Sequence, residues 1–176
     1  MKMKKISMVI GVAGALLGAM SGAQADSVQK KITLTATIND AMFVSKPDGS
    51  TWYGTEALDP SDYTQAKFSK KLPIRVWTKN PDFNVSLAQP LKLSNGRYEM
   101  ANATVVMGGG AGDSEVKFGS VQTITQAVVG NGGYDEIHDV TINVDAPEQV
   151  GDVSTNGSYS GDLVMVFEPV AASGGN

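Results

Sequence analysis

The chain contains no cysteine and one histidine, His138. Without cysteine there is no disulfide framework, no thiolate metal site and no thiol nucleophile. A lone histidine builds neither a zinc cluster nor a Ser–His–Asp triad, since both need partners of set type and spacing. His138 stands in the alternating run IHDVTINVD and reads as a surface or edge residue. Basic residues are in deficit as well. Fourteen Lys and Arg face 18 Asp and Glu, a formal charge of −4, which leaves no electrostatic basis for binding nucleic acid or anionic lipid. No window carries apolar residues at i, i+3, i+4 and i+7, so amphipathic helices are not expected.

Long hydrophobic runs are also missing. The longest, Ile6–Met20, is shorter than the ~20 residues that span a bilayer, and no stable membrane insertion is expected. It follows Lys2, Lys4 and Lys5 and precedes SGAQA, whose Ala23 and Ala25 give the A-x-A pattern of a secretory cleavage site. Residues 1–25 therefore read as a signal peptide, with the mature chain starting at Asp26. Export into an oxidising compartment without a disulfide means that the core or a partner must hold the domain together.

What is present in quantity is period-two alternation. LPIRVWT sets Leu72, Ile74 and Val76 on one face. DFNVSLA sets Phe83, Val85 and Leu87 against Asn84 and Ser86. NATVVM, VQTITQAVV, IHDVTINVD and YSGDLVMVFEP are further runs rich in Val, Ile and Thr. Turn-formers separate them, among them KPDGS, LDPSD, KNPD, LSNG, GNGGYD and VSTNGS. Short strands between such clusters indicate an all-β sandwich in one domain.

Several motifs invite chemistry and are better read as structure. MGGGAGD, residues 107–113, lacks the Lys-Ser/Thr of a phosphate loop and is followed by no helical pattern, so a hairpin connection is expected. Asp59 with Asp62, and Asp135 with Glu136, are carboxylate pairs, but nothing sets either across a cleft as glycoside hydrolysis requires. Calcium-loop spacing is absent. No enzyme activity, cofactor or metal is expected. Trp52–Tyr53 and Trp77 could stack on sugar rings, which keeps a monomeric secreted carbohydrate-binding sandwich as the alternative function; buried aromatic anchors are the commoner fate of such residues.

The stretch DSVQKKITLTATIND opens the mature chain. Val28, Lys30, Ile32, Leu34, Ala36 and Ile38 take one parity, and Gln29, Lys31 and three threonines take the other. Such a strand has one face to bury, yet it ends in Asn39–Asp40 with no hairpin behind it. VQKKITLTATIND resembles the mature N-terminus of major pilins of the class 5, or alpha, chaperone–usher fimbriae, the colonisation-factor and cable type. GSYSGDLVMVFEP resembles the C-terminal strand of the same group.

The resemblance implies an incomplete immunoglobulin-like sandwich, residues 40–176, completed by a donor strand from the neighbouring subunit, with residues 26–39 as the donor. It implies a major structural subunit of a surface fimbrium, exported through the periplasm, polymerised by donor-strand exchange and supporting adhesion. The partners implied are identical pilin subunits, a periplasmic chaperone, an outer-membrane usher and a tip adhesin. Tyr159, Gly161, Leu163, Met165 and Phe167 are expected to lie on the strand that borders the acceptor groove and binds the chaperone, with Leu163, Met165 and Phe167 pointing into the core and Val164 and Val166 outward.

Overall fold

The computed structural model describes residues 42–109 and 112–170. The donor-strand residues Val28 to Ile38 lie outside the described residues. Among the described residues all regular structure is β, in two antiparallel sheets. The larger sheet contains β1 (Met42–Ser45), β3 (Lys67–Thr78), β9 (Gly133–Asp145), β5 (Ala101–Gly109) and β6 (Gly112–Glu115), in that order. Two short strands join it, β2 (Asp59–Pro60) beside β3 and β8 (Val129–Gly130) beside β9. The smaller sheet has the order β10 (Met165–Pro169), β4 (Asp82–Leu87), β7 (Gln122–Thr125).

The alternation explains the layering. Ile74 and Val76 of β3, Val140 and Ile142 of β9, and Val105 and Met107 of β5 face inward from the large sheet. Phe83, Val85 and Leu87 of β4 and Ile124 of β7 meet them from the small one. Successive side chains on a strand point to opposite faces, so these apolar sets fall on one side without further instruction. The outward parity carries ion pairs between β3 and β9, among them Lys71 with Asp139 and the two-pronged contact in which Arg75 Nε donates to Asp135 Oδ1 at 2.7 Å.

The hairpins follow their turn residues. β8 and β9 meet through Asn131 and Gly132, both at positive φ (52° and 75°), the Asn-Gly pair that suits a two-residue hairpin in a right-twisted sheet. β5 and β6 pair from Val106↔Glu115 to Gly109↔Gly112, so the glycine run at 107–113 is a hairpin. VQTITQAVV does not make one strand. It divides into β7 and β8 on different sheets, because Gln126 turns into the interior, where its Nε2 donates to Thr78 Oγ1.

Two expectations need correction. His138 is neither at the surface nor at an edge. It is 1% exposed, because it shares the inward parity of Val140, Ile142 and Val144 on the central strand β9. Its Nδ1 lies 3.2 Å from the Gly108 carbonyl oxygen, and burial pushes its pKa below the ordinary histidine value. The strand expected over Tyr159–Phe167 begins only at Met165. Its partner β4 ends at Leu87, and Pro90 just beyond has no N–H to donate. Ala88 N still donates to Val164 O, after which the ladder breaks. It resumes as a single bridge, Ser94↔Ser160, where continuation of the β4 register would have set Ser160 against Lys92.

Candidate functional site: a cleft beside the free edge of β10

Beside β10 the two sheets part. β10 is hydrogen-bonded to β4 on one side only and is an edge strand among the described residues. Next to it opens a cleft of about 930 Å³. The inward parity of β3 supplies its floor with Phe68, Lys70, Leu72 and Ile74, joined by Val140 and Ile142 of β9. One wall is Trp52–Leu58, and the other is the segment Gly157–Leu163 with Met165. Leu91, Leu93 and Met100 line it as well.

Each wall is held by specific contacts. Tyr53 donates its hydroxyl to the Pro73 carbonyl oxygen at 2.7 Å, pinning the first wall to β3. Its phenol pKa is raised, chiefly by burial. Trp52 lies edge-on to Phe167, with centroids 6.0 Å apart, and Phe167 packs in turn near Phe83. On the other wall Tyr159 donates to Thr155 O at 2.6 Å. Gly161 crosses so close to the neighbouring chain that a Cβ would lie 1.8 Å from the Lys92 carbonyl oxygen. Only glycine fits there.

The residues singled out in the C-terminal run therefore converge on one feature. Tyr159, Gly161, Leu163 and Met165 line the cleft, and Leu163, Met165 and Phe167 pack against the core. Val164, on the other parity, is 43% exposed. The wall Trp52–Leu58 was not legible in the sequence, since it has no periodicity. Lys70 was legible in principle, because it falls in phase with Leu72, Ile74 and Val76.

The remaining candidates are occupied structurally. Asp59 accepts from Lys70 Nζ at 3.1 Å, and Asp62 caps the Thr64 N–H at 2.8 Å. Asp135 binds Arg75, which with Asn131 holds its carboxyl below the usual carboxylate range, the Arg75 hydrogen bond being the larger cause. Glu136 accepts from Ala127 N at 2.9 Å. Neither pair faces its partner across a cleft. Trp52 is part of a wall, and Trp77 lies opposite Phe43 on the outer face of the large sheet, so the aromatics do not form one platform.

The sequence matches the family of CS1 type fimbrial major subunits over residues 28–168. The chain belongs to that family. Its fold is similar to that of the CooA pilin subunit from enterotoxigenic Escherichia coli, with a TM-score of 0.51 at 17% identity over 74% of this chain and 99% of that one. No curated protein sequence matches it significantly. This CS1 type major subunit is thus an all-β, immunoglobulin-like pilin and a structural component of an extracellular, cell-surface fimbrium built from copies of itself.

Proposed function

We propose that the subunit polymerises by donor-strand exchange, with residues 28–38 of one copy occupying the cleft beside β10 of the next. The carrying observation is the coincidence of an unpaired strand edge with an open, largely apolar cleft over the core. An exposed edge presents unpaired N–H and C=O groups that template a further strand. β-augmentation uses those groups for affinity and the alternate side chains for specificity. The family match starts at Val28, so the alternating arm lies within the matched region.

Ile32, Leu34, Ala36 and Ile38 would plug the cleft. Each large apolar side chain so buried contributes roughly 1.5–3 kcal/mol, and the backbone ladder adds to this. A chain without cysteine then draws its stability from its neighbour. Before assembly the same cleft is the docking place of a periplasmic chaperone, which hands the subunit to an outer-membrane usher. A tip adhesin begins the fibre, and the assembled shaft supports adhesion.

The test is a comparison of Ile32→Asp and Leu34→Asp with Thr33→Ser. A charge carried into an apolar groove costs several kcal/mol unless paired. The Asp variants should be exported and form the chaperone complex but yield no heat-resistant surface polymer, whereas Thr33→Ser should polymerise normally. Loss of chaperone complex and polymer together would assign the arm to its own subunit's core and reject the proposal.

A further inference from the structure

The cleft is apolar along most of its floor, with one exception. Among the described residues that line it, Lys70 is the only cation. It lies in phase with Phe68, Leu72 and Ile74 on the inner face of β3, its side chain is 25% exposed, and its ammonium is held by Asp59 at the rim. It sits where an incoming strand must lie.

The arm carries a matching exception. The parity Ile32, Leu34, Ala36, Ile38 continues to Asp40, while Lys30 precedes it at the other end. Extended chain keeps this parity on one face, so Asp40 enters the cleft on the same side as the apolar plugs. We propose that Asp40 of the incoming arm pairs with Lys70 of the accepting subunit, and that this pair fixes both the direction and the register of the donor strand. The inference rests on the donor-strand reading and adds to it the residue pair that selects one seating.

The direction follows from the levels of the strands. β3 leads through Lys79–Pro81 into β4, so Phe83 is level with the C-terminal end of β3 and Leu87 lies farther toward Lys70. β10 runs antiparallel to β4, with Pro169 opposite Phe83 and Met165 opposite Leu87. Its N-terminal end therefore lies at the Lys70 end of the cleft. An arm antiparallel to β10, the more stable pairing, brings its C-terminal end, and Asp40, to Lys70. A parallel arm would bring Lys30 to Lys70, placing like charges in a partly desolvated groove, which disfavours that partner orientation. Apolar plugs alone tolerate a slip of two residues, because the face is unchanged. A single buried polar pair does not, as in coiled coils whose register one polar core residue specifies.

The absence of cysteine supplies a clean test. In the full-length chain, co-expressed with its chaperone and usher, Asp40→Cys with Lys70→Cys should give surface fibres joined by disulfides at every junction. After boiling without reductant they should run as a ladder, and reductant should collapse the ladder to monomer. Asn39→Cys with Lys70→Cys, of opposite parity, and Lys30→Cys with Lys70→Cys, which reports a parallel arm, should give no ladder. A second measurement uses charge reversal. Asp40→Lys and Lys70→Glu should each lower polymer yield at least tenfold, and the double reversal should restore it to within about twofold of the parent.

A ladder from the Lys30 pair, a monomeric disulfide from the Asp40 pair, or a double reversal no better than the single changes would overturn the proposal. Those outcomes leave donor-strand exchange standing so long as Ile32→Asp still abolishes polymer. Polymer from Ile32→Asp would reject donor-strand exchange itself, and this proposal with it.

Discussion

His138 and Phe83 meet edge to face at the centre of the sandwich, with ring centroids 5.6 Å apart and an interplanar angle of 72°. The contact joins the two sheets, since His138 belongs to β9 and Phe83 to β4. A carbonyl oxygen only accepts, so the short contact to Gly108 O puts the proton on Nδ1. Nε2 is buried without a hydrogen-bond partner. The neutral ring fits this place and the imidazolium does not. Burial is the larger influence, only partly opposed by Glu136, Gly108 and Asp139.

A pH dependence follows. The folded-state pKa lies below the unfolded value of about 6.5, so the unfolded chain binds the extra proton first. Stability is unaffected by His138 above that pH and falls as the pH drops from about 6.5 toward the lowered folded value, below which the slope vanishes. His138→Asn keeps a donor for Gly108 O and removes the titration. Thermal unfolding of purified fibres should show the acid-side decline in the parent and a weaker one in this variant. Equal slopes between pH 7 and 5 would assign the decline to other groups.

Phe83 should be the costliest apolar truncation in the small sheet. It is fully buried and touches both the central His138 and Phe167 of β10. Phe→Ala in a core costs about 3–5 kcal/mol, a large part of the 5–15 kcal/mol available to an ordinary domain. Phe83→Ala should therefore leave little soluble subunit in the periplasm, measured by immunoblot. Near-normal levels at 37 °C would mean that the sheets close over the cavity.

The layers were legible because the alternation is strict where a strand has one buried face. Ile74 and Val76, and Phe83, Val85 and Leu87, fall inward as their parity requires. The same rule held the answer for His138, in phase with Val140, Ile142 and Val144. Treating the residue as chemistry without a partner obscured its place in the packing. What the sequence could not display depends on distant neighbours. Tyr159–Val164 has the composition of a strand, but whether it pairs is decided by Pro90, some seventy residues earlier. The wall Trp52–Leu58 has no period at all and is fixed by tertiary contacts such as Tyr53 to Pro73. The arm at 28–38 could be read as a strand in search of a partner, and the cleft beside β10 is a place of suitable chemistry.

Gly161 should tolerate no side chain. A methyl group there would collide with the Lys92 backbone, and backbone cannot rotate away as a side chain can. The segment would have to move off Leu93, opening the Ser94–Ser160 bridge and widening the cleft wall. Gly161→Ala should lower the thermal stability of the fibre and the yield of polymer together. Gly157→Ala is the informative neighbour, since the nearest atom to its Cβ is the Asn95 side chain at 3.1 Å, although its positive φ of 155° adds strain of its own. It should cost less than Gly161→Ala. The reverse order would show that backbone conformation outweighs the close approach at Lys92.

Met165 and Val164 offer the sharpest contrast on the cleft's border. Met165 pairs with Leu87 of β4 and turns its side chain to the cleft and core. Val164 points the other way and is substantially exposed, though its carbonyl oxygen still accepts from Ala88 N. Lysine at the first position would place an ammonium among Leu163, Leu72 and Ile74, where an unpaired charge costs several kcal/mol. Lysine at the second can reach solvent and leaves the backbone bond intact. Met165→Lys should therefore remove both the periplasmic chaperone complex and the surface polymer, while Val164→Lys retains both. Met165→Leu, a volume-conserving change usually costing less than about 1.5 kcal/mol, should behave as the parent. Should Met165→Lys accumulate and polymerise like Val164→Lys, the inward parity of β10 would not govern the cleft. The occupant of the groove would then have to be sought on the opposite face.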